Sequence, residues 1–153
     1  MTVVIGFGNP LRGDDGLGAE VAQRVGALRP DVQVLTPHQL LPELASTIAD
    51  ATRVVFVDAA TGGAPGSVEC APVRPGGGKG SEGHILSPAN LMTLTSRVFG
   101  ATPPAWLVRI HATAFELGAP LSAEARRAAD DAVETVLELL APPFRSEKVE
   151  LRR

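Results

Sequence analysis

The order of elements in this chain predicts an α/β fold, with a parallel sheet covered by helices. Three observations predict it. From Thr2 to Asp58, apolar runs of strand character alternate with stretches of helical periodicity. The strongest run, Arg53-Val54-Val55-Phe56-Val57-Asp58, is apolar until it ends in a carboxylate, the pattern of a strand buried on both faces. The first run stops abruptly at Gly6 and Gly8, as a strand does when it turns sharply at the edge of a parallel sheet.

Each element follows in order. Thr2 to Phe7 is β-branched and apolar and reads as the first strand. Gly16 to Leu28 is a helix with Leu17, Val21, Val25 and Leu28 at helical spacing, which Gly26 weakens only modestly. Val32 to Leu35 is a short strand, and Leu40 to Ala51 a second helix with Leu40, Leu41, Leu44 and Ile48 on its buried side. Arg53 to Asp58 completes β-α-β-α-β. Ser67 to Val73 predicts a further strand, placed at an edge by Pro72 and Pro75, which cannot donate to a ladder.

The stretch Arg74-Pro75-Gly76-Gly77-Gly78-Lys79-Gly80-Ser81-Glu82-Gly83 reads as a flexible loop, because glycine at this density neither packs nor holds an element. Ser87-Pro88 open a helix to Phe99 with proline in its first turn. Trp106 to Ile110 makes the last strand, and Ser122-Ala123-Glu124-Ala125 open a long helix to Leu140 that Pro142-Pro143 end. Residues 1–141 are expected to form one domain, and 142–153 a charged, flexible tail. There is no internal repeat.

At 153 residues and 44% hydrophobic content, the chain can bury a core without staples. A net charge of -3 and a longest basic cluster of two arginines argue against nucleic acid as a partner. Cys70 is the only cysteine, so neither an intrachain disulfide nor a thiolate metal cluster is possible, which suits a reducing cytoplasm. Met1 leads straight into a strand without a charged leader, and no apolar run reaches the about 18 residues of a membrane span. A soluble, cytoplasmic protein with no membrane partner is therefore expected.

The turn after the first strand supports competing readings. Gly6-Phe7-Gly8 is half of a dinucleotide fingerprint, but the third glycine would fall at Leu11, Pro10 removes a donor, and Asp14-Asp15 would repel phosphate. The acidic pair can instead cap the following helix, or hold a metal. For the metal reading, three loops converge. Asp14 and Asp15 follow strand one, Asp58 closes strand three, and His84 follows the glycine loop. In a sheet ordered 2-1-3, the C-terminal ends of strands one and three are neighbours, so Asp15 and Asp58 face each other across the crevice. Two carboxylates and an imidazole suit a borderline divalent transition metal. His38 and His111 rival His84, Asp58 can also cap a turn at Thr61-Gly62-Gly63, and spacing alone excludes none of these.

The same residues carry a resemblance. Gly6-Phe7-Gly8-Asn9-Pro10, Arg12-Gly13-Asp14-Asp15-Gly16, the strand end Phe56-Val57-Asp58-Ala59 and His84-x-Leu86 before a helix resemble the hydrogenase maturation endopeptidases. These proteases process the large subunits of nickel-iron hydrogenases. The resemblance follows the element order from the first strand to the last helix and is most specific at the first motif. It implies a three-layer sandwich, a twisted, mostly parallel sheet of about five strands with helices on both faces. It also implies Asp15, Asp58 and His84 as nickel ligands and catalytic residues. Asp14, Asn9, His38 and His111 then stand as groups behind the ligands or on the substrate side, and Gly76, Gly77, Gly78, Gly80 and Gly83 as a hinge for His84.

The implied partner is the large-subunit precursor, which loses a C-terminal extension once its nickel is in place. Nickel would come with the precursor, leaving the free enzyme metal-free. Two other functions remain open on the sequence: a non-proteolytic metal-binding accessory protein of hydrogenase assembly, and a nucleotide- or flavin-binding module.

Overall fold

The computed structural model describes residues 1–76, 86–112 and 120–141. His84, Gly77, Gly78, Gly80, Gly83 and the tail 142–153 lie outside the described residues. The elements are β1 (Thr2–Gly6), a 3-10 helix (Pro10–Gly16), α1 (Leu17–Leu28), β2 (Gln33–Leu35), α2 (Leu44–Ala49), β3 (Arg53–Ala60), β4 (Val68–Pro72), α3 (Pro88–Phe99), β5 (Ala105–His111) and α4 (Ala123–Leu140).

Among the described residues the sheet has five strands in the order β2-β1-β3-β5-β4. β1 pairs in parallel with β2 and β3, and β3 with β5, while β4 runs antiparallel to β5 at the edge. The alternation of side chains along each strand divides the core into two layers. Val4, Val55, Val57, Val108 and Ile110 face Leu17, Val21 and Val25 of α1 and the alanine-rich side of α4. Val3, Ile5, Val54 and Phe56 face Ile48 of α2 and Leu91 and Met92 of α3. Each fully buried Val or Leu contributes about 1.5–3 kcal/mol, so the sheet is clamped from both sides and its C-terminal edge is a stable rim. The three-layer α/β architecture expected from the sequence is the one observed.

Three details differ from expectation. α2 is six residues long, not a helix from Leu40 to Ala51. Pro42 has no amide proton to give, and the Leu44 and Ala45 amides bond the Leu41 and Pro42 carbonyls, each at 3.0 Å, as tight turns rather than a helix. Leu41 is consequently 38% exposed, off the buried side, while Leu40 stays buried. Second, β3 runs on to Ala60, because β5 extends to His111 and supplies partners for Ala59 and Ala60. Asp58 therefore sits inside the strand rather than closing it. Third, the turn holding the acidic pair is a kinked 3-10 helix, capped by Asn9 and bent at Arg12 and Gly13.

Candidate functional site

Strands β1 and β3 lie side by side, and the Phe7 amide donates to the Val57 carbonyl at 3.1 Å, carrying their pairing one residue beyond β1. Here the chain crosses the rim, and α1 begins almost in contact with the strand ends. A Cβ on Gly18 would lie 2.5 Å from the Val57 carbonyl oxygen and 2.7 Å from that of Phe7, and one on Gly6 would overlap the Gly18 carbonyl. The glycines of the first motif thus admit the protein's own backbone, not a phosphate.

That close approach brings the turn down onto the rim. Asp15 is partly exposed, and its Oδ2 accepts the Asn9 amide at 2.7 Å. Asn9 Oδ1 in turn accepts from the Leu11 amide at 2.9 Å. Asp14, one residue earlier, faces inward with no exposed surface. Its Oδ1 accepts the Ser122 amide at 2.9 Å and its Oδ2 the Ser122 hydroxyl at 3.0 Å. Ser122 Oγ also accepts the Ala125 amide at 3.0 Å, so Asp14 is built into the N-terminus of α4. Neither aspartate caps α1, whose N-cap is Gly16 and carries no side-chain bond.

Asp58 lies mostly buried on the same rim. Removal from water and, after it, the charge of Asp15 push its carboxyl up to about 7, against the opposing pull of Arg109 and of the Ala59 backbone. The two carboxylates predicted to converge therefore act on each other. A cation between them would favour the charged form of Asp58, and this oxygen donor pair fits a divalent ion. Among the described residues no group of three or more His, Cys, Asp or Glu forms a metal cage. The third expected ligand, His84, lies outside the described residues.

The rival histidines go separate ways. His38 is exposed in the loop after β2, next to Pro37, whose carbonyl accepts the Gly8 amide at 3.3 Å. His111 ends β5 and is 6% exposed. Its Nδ1 accepts the Gly63 amide at 3.1 Å, and a side chain at Gly63 would overlap the ring. Its Nε2 lies 3.3 Å from Glu69 Oε2 but is not aligned for a hydrogen bond. Asp58 does not cap the turn at Thr61-Gly62-Gly63; it is still paired in β3 there, opposite Arg109.

Two contributors escaped the sequence reading. Ser122 was visible only as a helix start, with nothing to tie it to Asp14. Arg109 did leave a signal, as the one charge in the run Trp106 to Ile110. No helix among the described residues is long and apolar enough to cross a membrane.

No protein-family model matches the chain, and no curated protein matches it significantly in sequence. Solved structures do. The NiFe hydrogenase maturation protease HycI from Thermococcus kodakarensis is 27% identical, with a TM-score of 0.73 over 91% of each chain. The hydrogenase maturating endopeptidase HybD from E. coli has a TM-score of 0.73 at 22% identity, again over 91% of each chain. The maturation protease HybD from Thermococcus kodakarensis gives 0.68 at 22% identity, over 92% of this chain and 99% of the other. Over about nine-tenths of its length the chain has the fold of the hydrogenase maturation endopeptidases and resembles them.

Proposed function

We propose that this chain is an endopeptidase that removes a C-terminal extension from the large-subunit precursor of a nickel-iron hydrogenase. The observation that carries the reading is the convergence of Asp15 and Asp58 on one rim, in a fold shared with a maturation protease at 27% identity.

The precursor's own nickel is the feature recognised. Asp15 and Asp58 offer it oxygen ligands and His84 a nitrogen, a mixed set that suits a borderline cation. Docking by coordination places the scissile bond at the rim without a deep side-chain pocket. Nickel held there would supply Lewis acidity toward the carbonyl or a water. The chain's own task is to hold its ligands still. The Asn9 amide fixes Asp15 through Oδ2, so that this carboxylate would be held in place for the metal, while Asp14 ties the turn to α4. Gly76, Gly77, Gly78, Gly80 and Gly83 are the residues we assign as the hinge for His84; all but Gly76 lie outside the described residues. The lone cysteine, Cys70, suits action in a reducing cytoplasm.

The test is the mass of the precursor C-terminus after incubation of nickel-loaded precursor with the wild-type chain and with Asp15→Asn, Asp58→Asn and His84→Ala. Loss of the cut in the variants supports the reading, and full cleavage by all three removes the metal-docking role. Tight binding by the wild type with no change in precursor mass would instead mark an accessory protein.

A further inference from the structure

We infer that Arg109 is a catalytic residue of this site, its guanidinium donating to the carbonyl oxygen of the scissile peptide bond. The inference rests on the endopeptidase reading above. Asp58 and Arg109 are register partners in neighbouring parallel strands, which places their Cα atoms about 5 Å apart. Partners in register share a face of the sheet. Phe56 and Leu107, two residues earlier on each strand, pack into the α2/α3 layer, so Asp58 and Arg109 stand on that side too. There the layer gives out, for Phe56 is fully buried whereas Arg109 is exposed.

The next residue in the row is Glu69, the partner of Arg109 on β4. An arginine flanked by two carboxylates would be expected to pair with one of them. Among the described residues it pairs with neither, the ion pairs being Arg24–Asp130, Arg29–Asp31 and His111–Glu69. Glu69 lies against His111 instead, at 3.3 Å. Among the described residues, a fork of five donors is therefore left without an ion-pair or hydrogen-bond partner beside the residue proposed to dock the substrate's metal.

The surrounding charge selects what those donors take. Asp58 and Glu69 flank Arg109 in the row, and Asp15 adds its charge beside Asp58, so an anionic ligand would meet repulsion on both sides of the guanidinium. A peptide carbonyl is neutral on arrival and gains negative charge only as the reaction proceeds, so the arginine's pull grows toward the transition state. In the cut, a water oxygen bonds to the carbonyl carbon and the carbon–nitrogen bond breaks. Both water protons end on the leaving nitrogen, giving a carboxylate and an ammonium. Arg109 forms and breaks no covalent bond; it holds the oxygen that carries the charge.

The experiment measures single-turnover cleavage of nickel-loaded precursor, together with its affinity for the protein, for the wild type, Arg109→Gln, Arg109→Lys and Glu69→Gln. Arg109→Gln is expected to cut about 10²–10³-fold more slowly while binding the precursor nearly as well. Arg109→Lys should recover part of the rate, and Glu69→Gln should stay close to wild type. Wild-type cleavage by Arg109→Gln overturns the inference alone. Equal losses of affinity and rate also overturn it, since Arg109 would then be docking the precursor and not acting on the carbonyl. A wild-type protein that leaves nickel-loaded precursor uncut overturns the endopeptidase reading as well.

Discussion

Asp14 holds Ser122 with both carboxylate oxygens, at 2.9 and 3.0 Å, across 108 residues of sequence. Its neighbour Asp15 turns to the rim and, among the described residues, accepts the Asn9 amide. Adjacent carboxylates thus stand in separate settings, one joining the first turn to the last helix and one facing the rim. Asp14→Ala should destabilise the fold by about 1–3 kcal/mol, because the Ser122 amide and hydroxyl lose their acceptor in a buried setting. Asp15→Asn should cost less than about 1 kcal/mol, as a partly exposed side chain that keeps an acceptor oxygen. Urea denaturation of both variants checks this, and equal losses would contradict the division.

Asp58 predicts an unusual pH dependence of stability for the protein alone. Its carboxyl is raised from 3.8 to about 7 in the fold, so the folded state binds a proton that the unfolded state has already released. That contribution is complete below about pH 4 and declines as pH rises toward 7, by at most ~1.4 kcal/mol per pH unit, then levels off. Asp58→Asn should flatten this slope and make the protein more stable than wild type at pH 8. Melting temperatures measured from pH 4 to 8 decide it, and a variant with the wild-type slope would remove Asp58 as the source.

The sequence made the order of elements legible because the apolar period changes cleanly between strands and helices. It did not show where β3 stops, since Ala59 and Ala60 are held in the strand by Ile110 and His111 of β5 rather than by any preference of their own. Nor did it show that α2 is cut short, although Pro42 was a visible warning. For the candidate site, the strand order alone put the acidic turn Asp14-Asp15 and Asp58, near the end of β3, on one rim. Which of Asp14 and Asp15 faces inward was not legible, because Ser122 decides it from the far end of the chain. His111 looked like a rim histidine and proved buried, for reasons set by a glycine in another loop.

The Gly18 contact makes the turn a matter of helix position. A Cβ there would lie 2.5 Å from the Val57 carbonyl oxygen and 3.0 Å from the Phe7 amide nitrogen, both backbone atoms that cannot swing aside. Gly18→Ala should therefore push α1 off the strand ends and cost about 1–3 kcal/mol, despite alanine's better helix propensity. Thermal denaturation checks the loss. Because Asp15 rides on the same turn, cleavage of nickel-loaded precursor should also fall at temperatures where the variant is still folded, and retention of the wild-type rate would uncouple the two.

His111 is the remaining candidate for direct chemistry, and its surroundings argue for a structural task. Its Nδ1 accepts from the Gly63 amide, which places the proton of a neutral ring on Nε2, buried beside Glu69. A group closed in this way fastens the β3–β4 loop and does not reach a substrate. His111→Leu leaves the Gly63 amide without its acceptor and should cost about 1–3 kcal/mol. His111→Asn, which can return an oxygen to that amide, should recover part of the loss. Both variants should cut nickel-loaded precursor at near the wild-type rate under conditions where they are folded. A rate loss of a hundredfold or more in folded His111→Asn would return this histidine to the reacting centre.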